Sequence, residues 1–150
     1  MSTINFYPIT SADVEQLMPI ENSCHSHPWS TNTFKSCIGG RYFSEYAKND
    51  EQIIGFYVGD HVAGEATLMD ICVAPDLQGK GYGKALLLQF LQQVKNLEAS
   101  KVFLEVRASN IAAQMLYMNH GFVEISRRTG YYPSAKGFGY EDAIVMCLTL

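Results

Sequence analysis

Residues 71–87 read ICVAPDLQGKGYGKALL, and how that stretch is read decides the fold. An apolar run, Ile71-Cys72-Val73, gives way to a turn at Pro75. A loop follows in which Gly79, Gly81 and Gly83 alternate with Lys80, Tyr82 and Lys84. The pattern over residues 83–97 is then helical, with Leu87, Phe90, Leu91, Val94 and Leu97 on one face. Alternating glycines can take positive φ and turn several N–H groups into one concavity. The helix start adds the free N–H groups of its first turn and the positive end of its dipole. Strand, glycine loop and helix in that order predict an anion cradle suited to phosphate, with Lys80 and Lys84 adding charge. An ordinary glycine-rich connection is the alternative.

Two better-known phosphate loops do not fit. A Walker A loop needs a Ser or Thr after Gly-Lys to hold magnesium, and here Ala85 follows Gly83-Lys84. A dinucleotide fingerprint needs GxGxxG after the first strand of a βαβ unit, whereas this loop spells GxGxG behind several strands.

Upstream, INFYPI reads as a first strand. Thr10 or Ser11 caps a helix to about Asn22, with Val14, Leu17 and Met18 inward. A second helix is capped by Ser30 and stopped by Gly39 and Gly40. Three strands follow, over residues 41–47, 52–59 and 61–73. Turn signals at Asn49-Asp50 and Gly59-Asp60 make them antiparallel neighbours. Downstream, KVFLEVR is a strand with Val102, Leu104 and Val106 on one face and Phe103, Glu105 and Arg107 on the other. A short helix capped by Ser109 or Asn110 ends at Gly121, and strands over residues 123–128 and 140–148 close the chain. The expectation is an α/β (α+β) fold: a mixed, mostly antiparallel sheet of about seven strands with helices on both faces.

A chain of 150 residues, 47% of them hydrophobic, suits one domain with a real core, spanning residues 1–150. A net charge of −4 gives no general footprint for nucleic acid. No apolar run is long enough to cross a bilayer, and MSTINFYPIT lacks the basic start and apolar core of a leader, so a cytoplasmic location is expected. The four cysteines, Cys24, Cys37, Cys72 and Cys147, show no CxxC spacing and are expected as free thiols. Cys24, His25 and His27 cluster in CHSHP, but their spacing matches no familiar zinc pattern, and no metal is expected.

The loop Gln78-Gly79-Lys80-Gly81-Tyr82-Gly83 resembles the Q/R-x-x-G-x-G/A loop of the GCN5-related N-acetyltransferases. LEVRASNIAAQMLYMNHGF, HPWS, GGRYF, EATLMDICVAPDLQGKGYG, YYP and EDAIVM are similar to the branch of that family that acetylates the N-terminal alanine of a small-subunit ribosomal protein. The similarity spans nearly the whole chain and is weakest over residues 44–62. It implies acetyl-CoA as cosubstrate and the ribosomal protein's N-terminus as acceptor, with no nucleic acid or membrane partner.

The resemblance also implies roles for single residues. The loop, residues 78–84, grips the pyrophosphate of the cosubstrate. Backbone groups of Ile71, Cys72 and Val73 meet its pantetheine arm, an N–H such as that of Val73 polarising the thioester carbonyl. Asn110 contacts the cosubstrate, which a cap role also allows. Glu105 becomes general base and Tyr117 general acid. From the strand pattern alone, Glu105 is equally a partner for Arg107; a half-buried helix tyrosine is the commoner reading of Tyr117 by itself. A Cys72 acyl-enzyme would need an adjacent base, and none is evident in the sequence. Tyr131 and Tyr132, beyond Arg127-Arg128, either clamp a peptide end or cover the sheet. Trp29 either walls the same cleft or packs. Thr129-Gly130 departs from the branch by lengthening the path from the arginines to the tyrosines. Other acceptors (lysines or small amines) and a non-catalytic CoA-binding module are the competing readings.

Overall fold

The computed structural model describes residues 3–50 and 52–150; Met1 and Ser2, which open the stretch read for a leader, and Glu51 lie outside it. Along the chain run β1 (Asn5–Pro8), α1 (Val14–Cys24), α2 (Thr31–Ser36), β2 (Tyr42–Lys48), β3 (Ile53–Val62), β4 (Glu65–Val73), α3 (Tyr82–Asn96), β5 (Lys101–Arg107), α4 (Ile111–Met118), β6 (Val123–Pro133) and β7 (Tyr140–Thr149). The strands form one sheet in the order β1-β2-β3-β4-β5-β7-β6. Among the described residues, β4 and β5 are the one neighbouring pair that runs parallel, and α3 is the crossover that joins them. The expected mixed sheet is therefore present.

Local chemistry sets the helix starts. Thr10 donates its N–H and hydroxyl to the Asp13 carboxylate at 2.8 and 2.9 Å ahead of α1. Ser30 Oγ accepts from Thr33 N at 3.1 Å and starts α2. Side chains alternate along β3, so Phe56 and Val58 face one way and Tyr57 the other. Phe56 and Val58 share a core with Val14, Leu17 and Ile20 of α1 and Phe34 of α2. Tyr57 shares another with Leu87, Phe90, Leu91 and Val94 of α3 and with Val102, Leu104 and Val106 of β5. Helices thus cover both faces of the sheet, as expected.

Three boundaries differ from the sequence reading. β3 does not end at Gly59-Asp60: it runs to Val62, and the reversal falls on Ala63 and Gly64, at φ 52° and 82°. Gly59 is a glycine for want of space, since a Cβ there would lie 2.7 Å from the Phe43 ring and 2.8 Å from that of Phe90. Those two rings stack with centroids 5.6 Å apart. Leu97 is not core: it caps the end of α3 and is 40% exposed, while Leu86 is buried. β6 extends past residue 128 to Pro133.

The feature that positions the site is in β4. Val58 faces Asp70 and Gly59 faces Leu68, so Met69 is an extra residue, a β-bulge. The bulge switches faces: Ala66 and Leu68 belong to the α3-side core, whereas Cys72 belongs to the α1-side core. The ladder between β4 and β5 ends at the same level, its last pair being Leu68 with Leu104. Beyond it, residues 69–73 and 105–107 no longer pair with each other, and the glycine loop leaves the free end of β4.

Candidate active site

The loop adopts the backbone the glycines permit. Gly79 and Gly81 sit at φ 77° and 87°, and a Cβ on either would meet no atom within 4 Å, so the loop borders open space. Gly81 is the cap residue of α3, which places the unpaired N–H groups of the first helical turn at that opening. Gly83 does not share the positive φ of the other two: it lies inside α3, 3.7 Å from Leu116 and 4.0 Å from Val73 in Cβ terms. Gln78 Nε2 donates to Val73 O at 3.1 Å and ties the loop to the end of β4. A concave, open, amide-lined turn of this kind fits a pyrophosphate.

Glu105 stands in β5 with a quarter of its side chain exposed, and Arg128 of β6 holds its Oε1 at 3.0 Å. The pairing with Arg107 considered from the strand pattern does not occur; Arg107 instead donates to Glu141 at 2.9 Å and to Pro133 O at 2.8 Å. The two tyrosines join this group. The Arg107 guanidinium lies 4.5 Å over the Tyr132 ring and that of Arg128 4.9 Å over Tyr131, while the two rings meet edge-on at 5.0 Å. Burial, then the neighbouring Glu105 charge, pushes the Tyr132 phenol up to about 12. Glu105, Arg107, Arg128, Tyr131 and Tyr132 are thus brought together.

The extra Thr129-Gly130 is absorbed locally. Arg128 faces Ala143 and Tyr132 faces Glu141, so β6 accommodates the two added residues as a bulge. Gly130 takes φ 60° there and donates its N–H to Asp142 at 2.9 Å. Both tyrosines consequently keep their stacking on the arginines.

Tyr117 is 6% exposed on α4, edge-on to Phe122. Burial, followed by the negative fields of Asp70 and Cys72, pushes its phenol well above the usual range, so it stays protonated. Asn110 is the cap of α4, its Oδ1 accepting from Ala113 N at 3.1 Å. Trp29 packs edge-on to Phe34 at 5.6 Å, on the connection between α1 and α2, and its backbone N–H donates to Glu21 Oε2 at 2.9 Å.

One group escaped the sequence reading. Cys72 does have a base beside it: His25 Nε2 lies 3.3 Å from its Sγ, with Asp70 Oδ1 at 3.4 Å and Glu21 Oε1 at 3.5 Å. The cysteine is nonetheless no nucleophile, because it is 2% exposed and burial pushes its thiol far up. The CHSHP cluster itself divides: His27 turns to Ser26, whereas His25 joins the new group and Cys24, whose Sγ donates to Val73 O at 3.4 Å, borders it through the Cys72 thiol. Asp70 and Cys72 lie 45 and 47 residues from His25, so no spacing motif could disclose the group as a whole. The available signal was geometric: Glu21 and His25 are four apart at the end of a helix, and Asp70 and Cys72 two apart on a strand.

Residues 14–122 match the model of the acetyltransferase (GNAT) family. The [ribosomal protein bS18]-alanine N-acetyltransferase of Haemophilus influenzae is 42% identical over 142 residues, covering 95% of this chain and 96% of that protein. The protein of the same name from Escherichia coli K12 is 38% identical over 150 residues, covering 100% and 99%. Among solved structures, the ribosomal-protein-S18-alanine N-acetyltransferase of E. coli superposes with a TM-score of 0.92 at 37% identity, covering 98% of this chain and 94% of that one.

Proposed function

Since the chain belongs to the acetyltransferase (GNAT) family, we propose that it transfers the acetyl group of acetyl-CoA to the N-terminal alanine of ribosomal protein bS18. The observation that carries this reading is the likeness, over essentially its full length, to enzymes of that name. The 150 residues act as one catalytic domain, working in the cytoplasm where ribosomes are built.

The residues divide the work as follows. Amides of the loop, residues 78–84, bind the pyrophosphate, with Lys80 and Lys84 adding charge. Ile71, Cys72 and Val73 align the thioester arm through their backbone, and Asn110 contacts the cosubstrate. Tyr131, Tyr132 and Trp29 border the acceptor. Glu105 takes a proton from the acceptor amine, through water, as the amine nitrogen bonds to the acetyl carbon. The Val73 N–H faces the oxygen on which negative charge develops. As the carbon–sulfur bond breaks, Tyr117 gives its proton to the departing thiolate, and the amide and CoA are complete.

The acceptor's own chemistry favours an N-terminus. An α-amine has a pKa near ~7.8 against ~10.4 for lysine, so at pH 7.5 its neutral fraction is larger by roughly 300-fold. A single carboxylate can complete that deprotonation.

Incubation with acetyl-CoA and two peptides of the bS18 N-terminus, one with free Ala and one with acetyl-Ala, tests the proposal by mass spectrometry. One acetyl group on the free peptide alone is expected. Acetylation of an internal lysine on the blocked peptide, with none at the free alanine, overturns it.

A further inference from the structure

The side chains of Glu21, His25, Asp70 and Cys72 carry out no step assigned to the transfer, yet they are drawn together beneath the free end of β4. Glu21 is 1% exposed, Cys72 2% and the Asp70 side chain 3%. Three acidic side chains so close and so deep are costly unless something positive offsets them. His25 faces all three: its Nε2 is 2.8 Å from Asp70 Oδ1, 3.3 Å from Cys72 Sγ and 3.5 Å from Glu21 Oε1.

A single imidazole does not satisfy the group. Among the described residues Asp70 Oδ2 is buried with no hydrogen-bond partner, and a protonated Glu21 carboxyl is the donor beside Asp70. Glu21 is otherwise oriented from behind, its Oε2 accepting the Trp29 N–H at 2.9 Å.

The spacing suits a cation better than a hydrogen-bond network. The four facing atoms lie within 4.8 Å of one another. Around a tetrahedral zinc ion, with bonds of about 2.0–2.1 Å to N or O and about 2.3 Å to S, ligand atoms sit about 3.3–3.6 Å apart. Cys72 meets Glu21, His25 and Asp70 at 3.5, 3.3 and 3.4 Å, and His25 meets Glu21 at 3.5 Å. A further contact, His25 to Asp70 at 2.8 Å, must lengthen by about half an ångström. One thiolate, one imidazole and two carboxylates are a donor set for a borderline-soft divalent cation. The Trp29 N–H behind Glu21 supplies outer support, and the partly exposed His25 ring gives a way in from solvent.

We propose that Glu21 Oε1, His25 Nε2, Asp70 Oδ1 and Cys72 Sγ form a binding site for one Zn²⁺ ion, separate from the acetyl-transfer chemistry. The ion ties the end of α1, and with it the segment carrying Trp29, to β4 just ahead of Val73. The bulge at Met69 is what makes the site: by switching faces it turns Cys72 toward α1.

Titrating the metal-free, full-length chain with Co²⁺ reads the site directly, since a bound thiolate gives a charge-transfer absorption in the near ultraviolet. One equivalent is expected to bind with that absorption and to be displaced by Zn²⁺. The absorption should vanish in Cys72→Ser and persist in Cys24→Ala and His27→Gln. His25→Gln, at the most exposed ligand, should weaken Zn²⁺ affinity by about 100-fold or more. Zn²⁺ at a hundredfold excess over its Kd should raise the wild-type Tm by about 5–10 °C and leave Asp70→Asn unmoved. Absence of the absorption in the wild type overturns the site, as does its persistence in Cys72→Ser. Should Cys72→Ser not fold, unaltered Zn²⁺ affinity in folded His25→Gln does the same. None of these readouts depends on acetylation.

Discussion

Solvent divides the two residues assigned to proton transfer. Glu105 keeps part of its carboxylate open to water while Arg128 holds one oxygen, as suits a base that works through water. Glu105→Gln preserves the shape and removes the base; kcat should fall by about 10²–10⁴-fold with the acetyl-CoA Kd nearly unchanged, measured by steady-state kinetics and calorimetry. Tyr117 is enclosed, and enclosure raises its phenol pKa. A donor acts while protonated, so a raised pKa moves loss of activity to higher pH. The kcat at saturation should therefore stay level from pH 8 to about 10, the ordinary tyrosine value; an alkaline decline centred below that range would remove Tyr117 from the role. Both residues were legible in the sequence only through family resemblance, since neither a strand carboxylate nor a helix tyrosine declares its chemistry. The Arg128 partner was not legible, because it comes from β6, two strands away across the sheet.

Among the elements, the strand–loop–helix of residues 71–87 was readable because its signals are local: alternating glycines, a proline turn and a helical apolar face. The error at Gly59-Asp60 has the opposite cause. A glycine beside an aspartate looks like a turn, but the reason for this one lies in two rings distant in sequence, Phe43 and Phe90. A substitution separates the two explanations. A methyl at residue 59 would press on both rings, so Gly59→Ala should cost about 1–3 kcal/mol and lower the Tm by several degrees in a thermal melt. An unchanged Tm would mean the rings do not require that space. The bulges were equally hidden, because they exist only in the register between strands. Yet those at Met69 and at Thr129-Gly130 decide where Cys72, Tyr131 and Tyr132 point.

At the level of the whole molecule, one parallel pair in an otherwise antiparallel sheet provides the opening at which the transfer is proposed. β4 and β5 part after Leu68 and Leu104. The glycine loop leaves one side of that parting and Glu105 follows on the other. The strand order across β5, β7 and β6 was beyond local pattern, since the last two strands reverse their sequence order in the sheet. The assignment to bS18 concerns the molecule in its cell and is tested most directly there. The measurement is the intact mass of bS18 from ribosomes of cells lacking this chain, complemented with the wild type or with Glu105→Gln. An acetylated N-terminal alanine is expected with the wild type and a free one in the deletion and in Glu105→Gln. Full acetylation of bS18 in cells without the chain would contradict it.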